Sequence, residues 1–141
     1  MYILRQLFEA IGASDRLMTG LVATITTHSG PGPGRTALVE ERGFLACWLG
    51  AELWRMGVGI DTAKAAARVV DQTDLDKALG AGRRYLVAAG SEAAIVDEAG
   101  LPDWCGRGCI TLDLQHRRRV LHQYIQTIPR EGRTRPHLKP F

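Results

Sequence analysis

Apolar residues recur at helical spacing along the first part of the chain. The pattern predicts a helix over residues 2–11 with the apolar positions Ile3, Leu4, Leu7, Phe8 and Ile11. Gly12 ends this helix, and Ser14 then offers a side-chain oxygen to the free amides of the next turn. The spacing resumes there and predicts a second helix over residues 14–27.

A break in this pattern follows. Residues 28–34 contain two prolines and three alternating glycines, which exclude a helix and predict a loop leading into an extended segment, residues 35–39. A broad apolar stripe then predicts a long helix over residues 40–56, with Trp48 in the core and a stop at Gly57. Asp61 is the expected N-cap of the next helix, which runs to Val70.

In the second half of the sequence, the spacing of apolar residues changes from helical to strand-like. Thr73 or Asp74 can cap a short helix, after which residues 85–88 and 94–96 alternate as a hairpin joined through Gly90. A third strand over residues 110–114 and a final helix over residues 114–128 follow. We therefore predict a mostly α fold with small β parts (α+β): residues 1–72, an α+β extension over residues 73–128, and a basic flexible tail over residues 129–141.

Composition narrows the class of protein. The 141 residues are 45% hydrophobic and 23% charged, which is ordinary for a globular chain, and no apolar run approaches the ~20 residues of a membrane span. Neither a secretory signal nor a disulfide framework is visible, since three cysteines are too few and unevenly placed. We expect a cytoplasmic protein without a membrane partner.

Charge is distributed unevenly along the chain. The net charge is +3, but residues 116–141 hold seven basic residues and one acidic residue, a net +6. Residues 1–60 hold five of each and are neutral. The basic residues, which could bind nucleic acid, are therefore concentrated near the C-terminus.

The order of elements in residues 3–72 resembles the MerR-type transcription regulators. The matching parts are the Gly12-Ala13-Ser14 turn into the second helix, the glycine-rich loop with Arg35, the acidic start of the long helix, and the run Met56-Gly57-Val58-Gly59-Ile60-Asp61. The resemblance implies a winged helix-turn-helix that binds double-stranded DNA. It implies that Ser14 caps the recognition helix, that Arg16 and Thr19 face DNA from it, and that Arg35 is the arginine of the wing.

Two further groups of residues are candidates for contacts. Arg117, Arg118 and Arg119 follow one another on the final helix and form either a phosphate-contacting patch or an ordinary solvated face. By its position the final helix is the expected dimer element, with the interface residues Leu121, Tyr124 and Ile125. Trp54 is a candidate interface anchor, because tryptophan is enriched at binding hot spots.

The sequence gives little support for a metal site or a catalytic site. Cys105, Cys109, His116 and His122 have zinc-ligand chemistry, but their spacing departs from known zinc patterns, so we predict no metal and no cofactor. No nucleophile with a nearby base and no carboxylate pair can be assembled, so we expect a protein that is not an enzyme.

Two functions stay open from the sequence. The first is a sequence-specific, MerR-like DNA-binding regulator that acts as a homodimer. The alternative is a winged-helix module that docks on another protein, such as a transcription or phage-defence component. The neutral charge of residues 1–60 and the arginine-poor second helix favour this alternative.

Overall fold

A computed structural model describes residues 2–29 and 37–127. These ranges contain seven α-helices and two antiparallel three-stranded sheets, and the prediction of a mixed, mostly helical fold is confirmed. The elements in chain order are β1 (Tyr2–Ile3), α1 (Leu4–Ile11), α2 (Asp15–Val22), β2 (Thr27–Ser29), β3 (Ala37–Val39), α3 (Glu41–Arg55), α4 (Ile60–Gln72), α5 (Leu75–Gly80), β4 (Tyr85–Ala89), β5 (Glu92–Val96), α6 (Leu101–Cys105), β6 (Ile110–Asp113) and α7 (Leu114–Thr127).

The first sheet has the strand order β1-β3-β2 and contains two strands that the apolar pattern missed. The chain begins with β1 instead of helix, because Tyr2 and Ile3 pair with Val39 and Leu38 of β3. The Tyr2 ring also packs edge-on against Phe44 of α3, with ring centroids 5.7 Å apart. Helix α1 therefore starts only at Leu4, and it ends as predicted at Gly12, whose φ of 67° suits glycine.

Helix α2 is shorter than predicted, ending at Val22 instead of Thr27. A turn follows the helix and leads to Thr26, whose backbone N–H and hydroxyl both donate to the buried Asp71 carboxylate, at 3.0 and 3.3 Å. The next three residues pair with β3 as β2, so His28 and Ser29 lie in a strand and not in the predicted loop. A distant carboxylate and a strand partner thus override the local helical pattern.

Helix α3 lies at the centre of the protein. All residues from Gly43 to Leu53 are buried, and Trp48 is fully buried as predicted. Gly43 and Gly50 let neighbouring elements approach this helix closely. A Cβ added at Gly50 would lie 2.7 Å from Leu21 of α2 and 3.3 Å from the Ala63 carbonyl oxygen of α4, so these helices meet without a side chain between them.

A tight joint connects α3 to α4. Gly57 has a φ of 96°, which agrees with the predicted stop, but Asp61 is not the N-cap. Gly59 occupies that position, and Asp61 is exposed in the first turn of the helix, where its charge favours the helix dipole. The following helix, α5, is capped by Asp74, whose side chain accepts from the Lys77 backbone N–H at 3.2 Å.

The second sheet has the order β5-β4-β6 and confirms the predicted hairpin and third strand. The hairpin turns at Gly90, whose φ is 58°. The carbonyl oxygen of Gly90 accepts a hydrogen bond from the Thr62 hydroxyl of α4, which joins this sheet to the first half of the chain. One hydrophobic cluster accordingly contains residues from both halves, among them Leu7, Trp48, Leu86 and Leu121.

Helix α7 begins where Asp113 ends β6. The Asp113 carboxylate accepts from the backbone N–H groups of Gln115 and His116, at 3.1 and 3.3 Å. It also accepts from the Arg84 guanidinium at 2.5 Å. The predicted final helix is confirmed to Thr127, while Ile128, Pro129 and the basic tail lie outside the described residues.

Alanine substitutions at two glycines test the close packing around α3. We expect Gly50→Ala to lower the free energy of unfolding by about 1–3 kcal/mol, because its Cβ overpacks the core at Leu21. Gly20→Ala within α2 is the matched control, because its Cβ would lie 3.4 Å from the Lys64 side chain, an ordinary contact. It should raise the free energy of unfolding by about 0.5–1 kcal/mol through helix propensity. Urea unfolding measures both, and a Gly50→Ala protein as stable as the parent would contradict this packing.

The pH dependence of stability tests the Asp113 contacts. Burial alone would raise the pKa of Asp113, but the hydrogen bonds from Arg84 and from the start of α7 lower the pKa below its usual value. A lowered folded pKa gives stability that is present above the unfolded pKa of about 3.9 and is lost as pH falls through the folded pKa.

We therefore expect Asp113→Asn to cost about 0.5–1 kcal/mol at pH 7, and this cost should be lost as pH falls through the folded pKa of Asp113. Thermal unfolding across that pH range measures the difference. The exposed Asp103 supplies the control, and Asp103→Asn should change stability by less than about 0.5 kcal/mol across the same range. A cost for Asp113→Asn that does not fall as the pH is lowered would show that its charge is not the cause.

Candidate nucleic-acid interface

Helix α2 presents one buried and one exposed face. Leu17, Met18 and Leu21 are buried, whereas Arg16 and Thr19, one turn apart, are exposed on the other side. Ser14 caps the helix as predicted, because its hydroxyl accepts from the Leu17 backbone N–H at 3.3 Å. The structure therefore brings three of the predicted DNA-contacting residues together at one end of α2.

Helix α4 contributes basic residues that the sequence analysis did not single out. The Lys64 side chain lies against Gly20 of α2, and Arg68 is exposed one turn further along α4. Asp71, almost one turn beyond Arg68, binds Thr26 just after α2, so α4 runs alongside α2 and the turn that follows. The Lys-x3-Arg spacing was a signal in the sequence, but only the packing of α4 against α2 shows which surface it joins.

A cavity of about 430 Å³ opens between α2, the end of α3 and the start of α4. We call it the Trp54 groove, and its lining residues are Ser14, Arg16, Leu17, Gly20, Trp54, Ile60 and Lys64. Trp54 is 46% exposed, as expected for a residue predicted at an interface, whereas Trp48 on the same helix is fully buried. The groove thus combines an apolar floor with two cations.

The predicted wing cannot be placed on this surface. Arg35 and the glycine-rich loop, residues 30–36, lie outside the described residues. The strands on either side are described, and the pairing of Ser29 with Ala37 marks the position from which the connecting segment leaves the sheet.

The three consecutive arginines of α7 do not form the predicted phosphate-contacting patch. Arg117 is only 5% exposed and its guanidinium lies over the Trp48 ring, 5.7 Å from the centroid, so the prediction of a DNA contact is wrong for this residue. Arg118 forms an ion pair with Asp76 at 2.7 Å. Arg119 is exposed. The three consecutive arginines of α7 therefore lie in three different environments.

Arg117 instead belongs to a buried polar cluster under α7. Glu52 of α3 is 1% exposed and accepts from Arg55 at 2.7 Å, and Arg55 also donates to the Ile11 carbonyl oxygen at 2.6 Å. Burial lowers the pKa of Arg117, and the negative charge of Glu52 opposes this shift. The buried Glu52 carboxylate thus forms an ion pair with the partly exposed Arg55, and its charge also acts on the buried Arg117.

Helix α7 turns its apolar side toward the protein's own core. Leu121, predicted at a dimer interface, is fully buried within the protomer, which removes it from any interface. Tyr124 and Ile125 are partly buried and pack against the same core. Tyr124 and Ile125 are not fully buried, so a contact of these two residues with a second copy stays a prediction.

The cysteines and histidines stay apart. His122 contacts Glu41 at the start of α3, and Cys109 lies 3.5 Å from the Thr111 hydroxyl. Within residues 2–29 and 37–127, no group of three or more histidine, cysteine or acidic side chains is arranged to hold a metal ion. Burial, with a smaller contribution from Asp71, raises the pKa of Cys47 to about 12, which keeps its thiol protonated and unreactive.

A smaller cavity of about 280 Å³ lies at the other end of α3. Five of its charged residues form ion pairs or contacts, Arg42 with Glu40, Arg118 with Asp76, and Glu41 with the nearby His122. Asp74, also in the lining, caps α5. The pairs link α7 to α3 and α5, so this cavity is a structural junction.

In the part of the chain that the structure describes, no helix is long and apolar enough to cross a membrane.

Substituting neighbouring arginines of α7 tests the burial of Arg117. We expect Arg117→Ala to lower the free energy of unfolding by about 1–3 kcal/mol, because it removes a buried side chain that packs over the Trp48 ring. Arg119→Ala removes an equal charge from an exposed position and should change stability by less than about 0.5 kcal/mol. Chemical denaturation measures both, and equal midpoints for the two variants would contradict a buried role for Arg117.

No known protein identifies this interface by similarity. No family model, no curated protein and no solved structure matches this chain.

Proposed function

We propose that the chain is a sequence-specific DNA-binding transcription regulator of MerR-like type that acts as a homodimer on double-stranded DNA. The element order supports this proposal. Two short helices, α1 and α2, precede a strand pair, β2 and β3, and β1 closes the sheet on the other side of β3. A winged helix-turn-helix is built from these parts in this order, with the second helix directed at the major groove.

The observation that carries the proposal is the uncovered face of α2. Arg16 and Thr19 are exposed on a helix whose opposite side is buried, so nothing in the described protein occupies the side that would enter a groove. Lys64 and Arg68 extend the basic surface alongside. Arginine and lysine contacts to phosphates release counterions, which provides the sequence-independent part of the affinity.

The proposed dimer compensates for the small number of these cations. Asp15 and Asp61 are exposed near the start of α2 and α4, so one protomer offers few net positive charges to the duplex. A two-fold dimer doubles the phosphate contacts and reads two half-sites about 34 Å apart. Arg35, which lies outside the described residues, is the further cation that the resemblance to MerR-type regulators implies for this surface.

Salt-dependent binding of duplex DNA tests the proposal. Duplexes selected from a random pool on the full chain should bind in a mobility-shift titration, and binding should weaken as salt rises. In the double variant Arg16→Ala with Lys64→Ala, the slope of log K against log salt should fall by about four, close to one for each phosphate contact that the dimer loses. The expected cause is the loss of two cations from the α2 surface of each protomer.

The matched control removes one exposed arginine elsewhere. Arg83 is exposed between α5 and β4, and Arg83→Ala should leave both affinity and slope unchanged. Absence of binding at low salt would refute DNA binding altogether. Equal loss in the control and the double variant would refute the assignment of this surface.

A further inference from the structure

The Trp54 groove has an unusual concentration of exposed apolar surface. Among the described residues, the large apolar side chains that are exposed are Ile3, Trp54 and Met56. Trp54 lines the groove together with Leu17 and Ile60, and Met56 follows just after the end of α3, outside the lining. Neighbouring exposed apolar side chains at a concave site mark a binding surface more than isolated ones do.

The charges of the groove indicate what it binds. Arg16 and Lys64 lie on its lining, and no carboxylate does. The size of the cavity, about 430 Å³, falls within the ~300–1,000 Å³ of sites that enclose a ligand group. An apolar floor needs an apolar group to cover it, and two cations need acidic partners. The charge and the shape of the groove therefore indicate one partner segment that carries both an apolar side chain and carboxylates.

We propose that the Trp54 groove is a docking site for a short acidic segment of a partner protein, with one large apolar side chain packed on Trp54 and carboxylates at Arg16 and Lys64. Tryptophan at the centre of such a contact is a typical hot spot, surrounded by polar groups that exclude water. Carboxylates at the two cations set the register of the segment and speed its encounter with the protein.

A protein segment suits this groove better than nucleic acid does. The DNA backbone presents charged phosphates and bases that are read by hydrogen bonds, and interfaces with DNA are more polar than those between proteins. Leu17 and Ile60 offer no side-chain hydrogen bond to such groups, whereas a leucine or phenylalanine side chain would displace water from them. The groove shares Ser14, Arg16 and Lys64 with the proposed DNA-binding face, so a docked segment and DNA would compete for the same two cations. Peptide binding is measured without DNA, so this inference does not depend on DNA binding.

Selection of peptides on the full chain tests the proposal. A displayed library of random twelve-residue peptides should yield sequences enriched in aspartate and glutamate around an aromatic or large aliphatic residue. Synthetic copies should shift the NMR signals of the Trp54 indole N–H and of the Gly20 amide. Binding should weaken about 10-fold or more in Trp54→Ala, and to a similar extent in the charge-reversed Lys64→Glu.

The control removes another exposed apolar residue. Ile3→Ala changes a side chain that is 37% exposed on β1, outside the groove lining, and should bind the peptides as the parent does. Thermal unfolding identifies any variant that has lost its fold, and the Trp54 and Lys64 variants each test the groove separately. Selected peptides that are basic or lack an apolar residue would overturn the proposal. So would unchanged binding to both folded variants, or a twelve-base-pair duplex that shifts the Trp54 signal when no selected peptide does.

Discussion

The buried charge of Glu52 is the constraint around which the protein is assembled. Helix α3 is enclosed on all sides, and Glu52 is a carboxylate that it carries into the interior. An uncompensated buried carboxylate would cost several kcal/mol, so cations have to reach it. Arg55 comes from the same helix and Arg117 from the far end of the chain, and the latter also covers the Trp48 ring. The docking of α7 is therefore tied to the electrostatics of α3.

Small residues give the same helix its close neighbours. Gly43 and Gly50 lie in α3 at positions where a Cβ would approach Val39 and Leu21 to 2.7 Å. A helix this buried gains little from propensity and much from packing, which offsets the backbone entropy that its glycines lose. The placement of α2 against α3 and α4, and with it the exposed face that carries Arg16, follows from this contact.

The elements that local patterns specify were predictable from the sequence. Helix α3, the Gly57 joint, the Asp74 cap and the β4–β5 hairpin each have apolar spacing or turn residues of their own. The strands β1 and β2 have only two or three residues each, and they exist because β3 pairs with them, which no local pattern reveals. The site was predictable in part: Ser14, Arg16 and Thr19 follow from one helix, whereas Lys64 joins them only through packing. Arg117 was misassigned because a run of like charges gives no indication of which member points inward.

The position of Arg117 near the end of the chain affects how the protein folds during synthesis. The first 72 residues leave the ribosome well before α7 does, with Trp48 uncovered and Glu52 lacking one of its two arginines. We expect this part to remain a loosely packed intermediate until residue 117 has emerged, although it contains the α2 face that is proposed to bind DNA. The packing around Trp48 is thus completed only after α7 has been translated.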